Sequence, residues 1–130
     1  MKVLLIVGTV ILSAILISIF IYSNPITLQV NKNAEKAKAL KARADIKNII
    51  SLLDMFKLEN NVYPTSDEGL KALIENPDPE KYSNWTQYLN KQRLDPWCNE
   101  YQYTNSDSKG IIDVYSLGPD GINSEENVRN

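Results

Sequence analysis

One stretch constrains this chain before any other. From Val3 to Tyr22 there is no charged residue, and only Thr9, Ser13 and Ser18 are clearly polar. An α-helix rises about 1.5 Å per residue, so a run of this length reaches about 30 Å, the thickness of a bilayer's hydrocarbon core. A cleaved secretory signal has a shorter apolar region, about 7–15 residues, that ends in small residues. Here the run ends in Phe20-Ile21-Tyr22. The segment predicts a membrane anchor over residues 1–23, and residues 24–130 remain for a helical stem and a head.

Asn24-Pro25 comes next, and proline disfavours helical backbone in the residue before it, so the chain is expected to break or kink there. A second helix is expected from Ile26 to Asn60. Residues Asn33–Ala44 are rich in Ala and Lys, both good helix formers. Ile46, Ile49, Ile50, Leu53 and Phe56 then recur at one-face helical spacing. Asn60-Asn61 is a natural stop, because asparagine tolerates left-handed backbone at a helix end.

Composition matters chiefly for what it excludes. There is no histidine and one cysteine, Cys98. A Ser-His-Asp or Cys-His catalytic pair cannot be built, nor can the usual zinc sites or an internal disulfide. With no recognisable pair of catalytic carboxylates either, the chain is not expected to be an enzyme. The formal net charge of −2 argues against a nucleic-acid partner. It conceals an asymmetry: residues 32–47 carry six basic residues against Glu35 and Asp45, a net of +4, and residues 48–130 carry 7 basic and 14 acidic residues, a net of −7. A basic stem of this kind would be drawn to anionic headgroups or to an acidic neighbouring subunit.

The head opens with a turn at Val62-Tyr63-Pro64. Thr65 and Glu68 are spaced as a capping box, so a short helix is expected with Leu70, Leu73 and Ile74 on its apolar face and Asn76-Pro77 at its end. A loop runs from Pro77 to Asn84, and Trp85, Tyr88 and Leu89 return apolar surface to the core. Two strands are expected, Tyr101–Thr104 and Ile111–Ser116, joined by a turn at Asn105–Gly110. Trp85, Trp97 and Tyr101 are expected in the core. Cys98 has no identifiable cationic neighbour to activate it and is expected as a small packed residue.

The order of several motifs then carries a resemblance. Tyr63-Pro64-Thr65 with Glu68-Gly69-Leu70 and Ala72-Leu73, Asp95-Pro96-Trp97 with Tyr101, and Asp113-Val114-Tyr115-Ser116-Leu117-Gly118-Pro119-Asp120-Gly121 resemble the major pseudopilin, or G subunit, of the type II secretion system. The resemblance runs from about Ala34 to Val128. It implies an α+β, pilin-like fold: a long N-terminal helix, transmembrane in its first part, packed on a small antiparallel β-sheet head. It also implies a structural role in a periplasmic fibre for protein secretion, with other pseudopilins, secretion-platform proteins and copies of itself as partners. The alternative is a non-assembling, membrane-anchored periplasmic binding or adaptor module with the same head.

Calcium enters in two ways. Gly118–Gly121 reads as a tight turn, and Asp120, Asn123, Ser124, Glu125, Glu126 and Asn127 concentrate oxygen donors in and just after it. Calcium takes six to eight hard oxygens, including carboxylates, amides and backbone carbonyls. The resemblance assigns the ligands: side chains of Asp120, Glu126 and Asn127, backbone carbonyls of Leu117 and Ile122, and Ser124 as a helper. Glu126-Asn127 stands where the family usually has two aspartates, so binding weaker than is typical of the family is expected.

The N-terminus departs from the family pattern. A prepilin carries a basic leader, a glycine at the cleavage point and a glutamate five residues on. Here Gly8 is followed by Thr9, the fifth residue beyond is Ser13, and the first acidic residue is Glu35. The expectation is an N-terminus not trimmed by prepilin peptidase and no homopolymeric fibre. Counting Lys2 against the basic stem would leave the head in the cytoplasm. The resemblance and the calcium loop instead imply a single-pass protein of the bacterial inner membrane with its head in the periplasm.

Overall fold

The structure is a computed structural model. It describes residues 2–22, 25–106, 111–121 and 127–129, with side chains described for 10–20 and from 28 onward within those ranges. The chain divides into two units, residues 1–37 and 38–130.

In the first unit, α1 covers Lys2–Tyr22, and α2, Pro25–Asn60, begins. The two helices thus end and start on either side of the expected break, with Pro25 at a first helical position, where its missing N–H costs nothing. Val10, Leu12, Ile15, Leu16, Ile19 and Phe20 are all exposed. Among the described residues, no helix is long and apolar enough to cross a membrane. The anchor expected over 1–23 lies in part outside the residues whose side chains are described.

The second unit is built on the rest of α2. Ala42, Ile46, Ile49, Leu53 and Phe56 are each no more than 1% exposed, and Ile50 is half-buried beside them. The stripe read from the spacing is therefore the buried face. Asn61 closes the helix with φ 64°, the left-handed stop expected there. The Asn60 Nδ2 donates to the Phe56 carbonyl, satisfying one of the terminal acceptors.

The capping box forms. The Thr65 N–H donates to Glu68 Oε2 at 2.7 Å, and the Glu68 N–H donates to Thr65 Oγ1 at 3.2 Å. The box opens onto a short 3₁₀ helix, η1, Gly69–Leu73, which starts later and ends earlier than the short helix expected between Thr65 and Asn76. It buries Ala72 and Leu73, with Leu70 and Ile74 half-buried. Its last carbonyls are taken up by the next segment: Trp85 Nε1 donates to Ala72 O at 2.7 Å, and the Tyr88 and Leu89 N–H groups donate to Leu73 O.

Among the described residues the sheet has three antiparallel strands in the order β1 (Gln102–Ser106), β2 (Ile111–Ser116) and β3 (Val128–Arg129). The strand expected at Tyr101–Thr104 thus starts one residue later and runs two further. The rest of the expected turn lies outside the described residues. Ser66 explains the extension: its Oγ donates to Asn105 O and accepts the Asn105 N–H, capping the free edge as a neighbouring strand would. Tyr101, Tyr103, Val114 and Val128 join the α2 face and Tyr82 in one core. Tyr101 is buried and Trp85 and Trp97 are half-buried against that core, as expected.

Candidate functional site: the 117–127 loop and the turn that holds it

Two turns meet at the end of β2. The first runs between Leu94 and Glu100, which pair as an isolated antiparallel bridge. Within it the Asp95 N–H donates to Asn99 O at 2.8 Å and the Cys98 N–H donates to Asp95 O at 3.0 Å. The Asp95 side chain folds back on its own turn. Its Oδ1 accepts the N–H groups of Trp97 at 2.9 Å and Asn99 at 2.8 Å. Aspartate is well suited to this because its short carboxylate reaches backbone two residues ahead.

Cys98 corrects an expectation. It is exposed, not packed. Its φ is 70°, in the left-handed region that favours glycine, so the turn's backbone and not side-chain packing defines this position.

The second turn comes after β2. Ser116, fully buried, donates its Oγ hydrogen to Asp95 Oδ2 at 2.5 Å and accepts the Gly118 N–H at 3.0 Å. The Asn99 Nδ2 donates to the Gly118 carbonyl at 2.9 Å. Gly118 and Gly121 have φ of 72° and 64°. At Gly121 a Cβ would also come within 3.4 Å of Asn99 Oδ1, so left-handed backbone and a close neighbour both favour glycine there. Asp95 is 4% exposed, yet three donors converge on its carboxylate. A buried carboxylate left unpaired would be costly; satisfied in this way it becomes a fixed point.

The candidate calcium ligands can be placed only in part. Leu117 is half-buried at the exit from β2, Asp120 is exposed in the Gly118–Gly121 turn, and Asn127 is 8% exposed just before β3. Ile122, Ser124 and Glu126 lie outside the described residues. The described donors are a carboxylate, an amide and a carbonyl, all oxygen, and they stand on either side of residues 122–126 in the chain. That chemistry fits a hard cation. Among the described residues no group of three His, Cys, Asp or Glu could hold a metal, and Asp120 is the one described carboxylate of the set.

Beyond Asn127 the chain pairs with β2 as β3. Ser116 pairs with Val128 and Tyr115 with Arg129. Arg129 forms an ion pair with Asp113 and lies over the Tyr115 ring, 4.4 Å from its centroid. Both β3 and the Asp95–Ser116–Asn99 network escape a reading of the sequence by residue pattern. A two-residue strand has no alternation to detect. Asp95-Pro96 did carry a signal, since Asp-Pro favours turn initiation, but its reach to Ser116 is a tertiary contact.

The sequence model of the family described as type II secretion system (T2SS), protein G, matches residues 29–130. The type II secretion system core protein G of Vibrio cholerae is 48% identical over 92 residues, which cover 68% of this chain and 62% of that protein. The corresponding protein of Pseudomonas aeruginosa is 46% identical over 99 residues, 72% of this chain and 68% of that one. The chain thus spans a little under two thirds of the length of the Vibrio relative. A crystal structure of the major pseudopilin from the type 2 secretion system of enterohaemorrhagic Escherichia coli superimposes with a TM-score of 0.65 at 38% identity, over 76% of this chain and 90% of that one. The family match covers most of the chain, the fold agrees, and the motifs that carried the resemblance fall inside the matched region: the chain belongs to the type II secretion system protein G family.

Proposed function

We propose that this chain is a structural, non-catalytic subunit of a type II secretion system, contributing to a periplasmic fibre for protein secretion. The observation that carries the reading is the likeness of the fold to a major pseudopilin at 38% identity. The proposal puts the chain in the bacterial inner membrane as a single-pass protein with its head in the periplasm. The exposed apolar side chains of α1, among them Val10, Leu12, Ile15 and Phe20, support an anchor, since such a surface finds its favourable solvent in lipid. Its partners would be other pseudopilins, secretion-platform proteins and copies of itself.

Calcium belongs to the same proposal. Asp120, Glu126 and Asn127 would supply side-chain oxygens, Leu117 and Ile122 backbone carbonyls, and Ser124 a further oxygen. The bound ion would neutralise part of an acidic head and tie the two ends of the loop together. Complementation tests the whole reading. In a strain lacking its own core protein G, expression of this chain should restore secretion and yield sheared fibres that contain it together with other pseudopilins. A membrane-held protein that restores neither overturns the fibre reading in favour of a non-assembling adaptor.

A further inference from the structure

The carboxylate of Asp95 serves two segments. Its Oδ1 holds the Trp97 and Asn99 N–H groups of its own turn, and its Oδ2 takes the hydroxyl hydrogen of Ser116, on β2. That second bond orients Ser116: with its hydrogen committed, the Oγ presents a lone pair to the Gly118 N–H. Asn99, whose N–H is held by the same carboxylate, donates its Nδ2 to the Gly118 carbonyl. Gly118 is therefore gripped at its N–H and at its C=O by two side chains, both oriented by Asp95. The gripped residue lies between Leu117 and Asp120, and its carbonyl also receives the Gly121 N–H at 3.4 Å.

We propose that Asp95 is the positioning residue of the 117–121 turn, fixing its conformation before any cation arrives, so that the calcium loop is half built in the metal-free protein. The consequence for calcium rests on the reading given above; the consequence for the turn does not. The alternative is a turn organised by the cation itself, with Asp95 bracing only its own 94–100 segment. All the groups involved are protein groups, and Asp95 and Ser116 are buried. The Asp95–Ser116 and Ser116–Gly118 bonds are buried, and there they constrain more strongly than the same bonds would at the surface.

Amide hydrogen exchange on the full chain in detergent micelles, with calcium chelated, separates the two. In Asp95→Asn the side-chain oxygen can still accept from Trp97 and Asn99, but the amide nitrogen offers Ser116 no acceptor. Ser116→Ala removes the relay and leaves the Asp95 turn intact. The expected result is exchange at Gly118 and Gly121 faster by about tenfold in both variants, the size of one hydrogen bond to a charged group. Trp97 and Asn99 should be little changed in Ser116→Ala. Unchanged rates at Gly118 and Gly121 overturn the proposal. So does an equal rise at Leu53 and Phe56, which would mark general destabilisation. Titration with calcium chloride then reads the metal consequence, expected as a weakening of about tenfold in both variants, the cost of ordering the turn at the moment of binding. Unweakened binding in both variants overturns that consequence. Absence of calcium binding by the unmodified chain overturns the calcium reading instead, and the exchange rates still decide what Asp95 does.

Discussion

Cys98 sits at φ 70° with its side chain exposed. A left-handed backbone costs an L-residue roughly 1–2 kcal/mol, and replacing it by glycine returns about 0.5–1 kcal/mol through the freer unfolded chain. The balance favours Cys98→Gly by roughly 0.5–1 kcal/mol, and no packing is lost. Its melting temperature should exceed that of the unmodified chain by about 2–4 °C; a lower value would mean the thiol makes an attractive contact that outweighs the backbone. Tyr101 bears on stability in alkali. Burial, and then the negative charge of Asp45, whose Oδ2 accepts its hydroxyl at 3.1 Å, raise its pKa above the usual value. Tyr63 is pushed up to about 12, chiefly by donating its hydroxyl to Asp54. Unfolded tyrosine loses its proton near pH 10, so above that pH the unfolded state binds fewer protons than the folded state and stability falls as pH rises. Melting temperature should drop as pH rises from about 10 toward 12, less steeply in Tyr101→Phe; equal slopes would remove Tyr101 from the account. Which residues could be read in advance depends on where their partners lie. Ile46, Ile49, Leu53 and Phe56 declare themselves because a helix brings its own neighbours to one face. Tyr82, 1% exposed in a loop of polar residues, does not, because its burial depends on Phe56, 5.0 Å away ring to ring, and on Glu68.

Glu68 links the capping box to the rest of the head. Besides the Thr65 N–H, it accepts the Tyr82 hydroxyl at 2.7 Å and pairs with Lys81 at 3.1 Å. Burial works against its carboxylate, but these donors outweigh it and hold its pKa below the usual carboxylate range. The folded state therefore keeps the charge to lower pH than the unfolded state. The contribution to stability is complete above about pH 5 and is lost as pH falls through the depressed folded value. Glu68→Gln should melt lower than the unmodified chain at about pH 7, and the gap should close in acid; a gap constant down to about pH 3 would show that charge plays no part. The same element shows why a correct cap did not give an α-helix. Gly69 comes next at φ 60°, outside helical backbone, and Asn76-Pro77 ends the segment soon after, so only a short 3₁₀ helix fits. On α2 the stop at Asn61 was legible because asparagine is one of few residues at ease there. Phe56 ties α2 to the head through ring contacts with Tyr82 and Tyr88. Phe56→Ala should cost about 3–5 kcal/mol, read as a loss of the cooperative melt at moderate temperature; a cost under about 1 kcal/mol would mean the site collapses around the gap.

Over the whole chain, fold class was legible because its determinants are long-period: a charge-free run, an apolar helical stripe and two alternating strands. The closing strand and the turn network were not, since a two-residue pairing and a single buried carboxylate leave almost no local pattern. Charge is the property that belongs to the molecule as a whole. Residues 48–130 carry a formal net charge of −7, and like charges gathered in a small head oppose its compact state. A cation held by the 117–127 loop would act against that repulsion and would also close the loop onto β3. Two effects must then be told apart, general screening and a specific site. Screening depends on ionic strength and treats divalent ions alike. A site built from carboxylate, amide and carbonyl oxygens suits calcium, which accepts irregular coordination, far better than magnesium, which demands near-octahedral geometry and keeps its waters. A ligand bound only by the folded state adds about 2.7 kcal/mol at a hundredfold excess over its Kd. The full chain in detergent micelles should therefore melt several degrees higher in calcium than in chelator, with magnesium at equal concentration giving little of the rise. Asp120→Ala should abolish the calcium increment and leave the melt in chelator near that of the unmodified chain, because Asp120 is exposed. Equal melting temperatures in calcium, magnesium and chelator would make the loop an ordinary polar turn, and an equal rise in calcium and magnesium would assign the effect to screening.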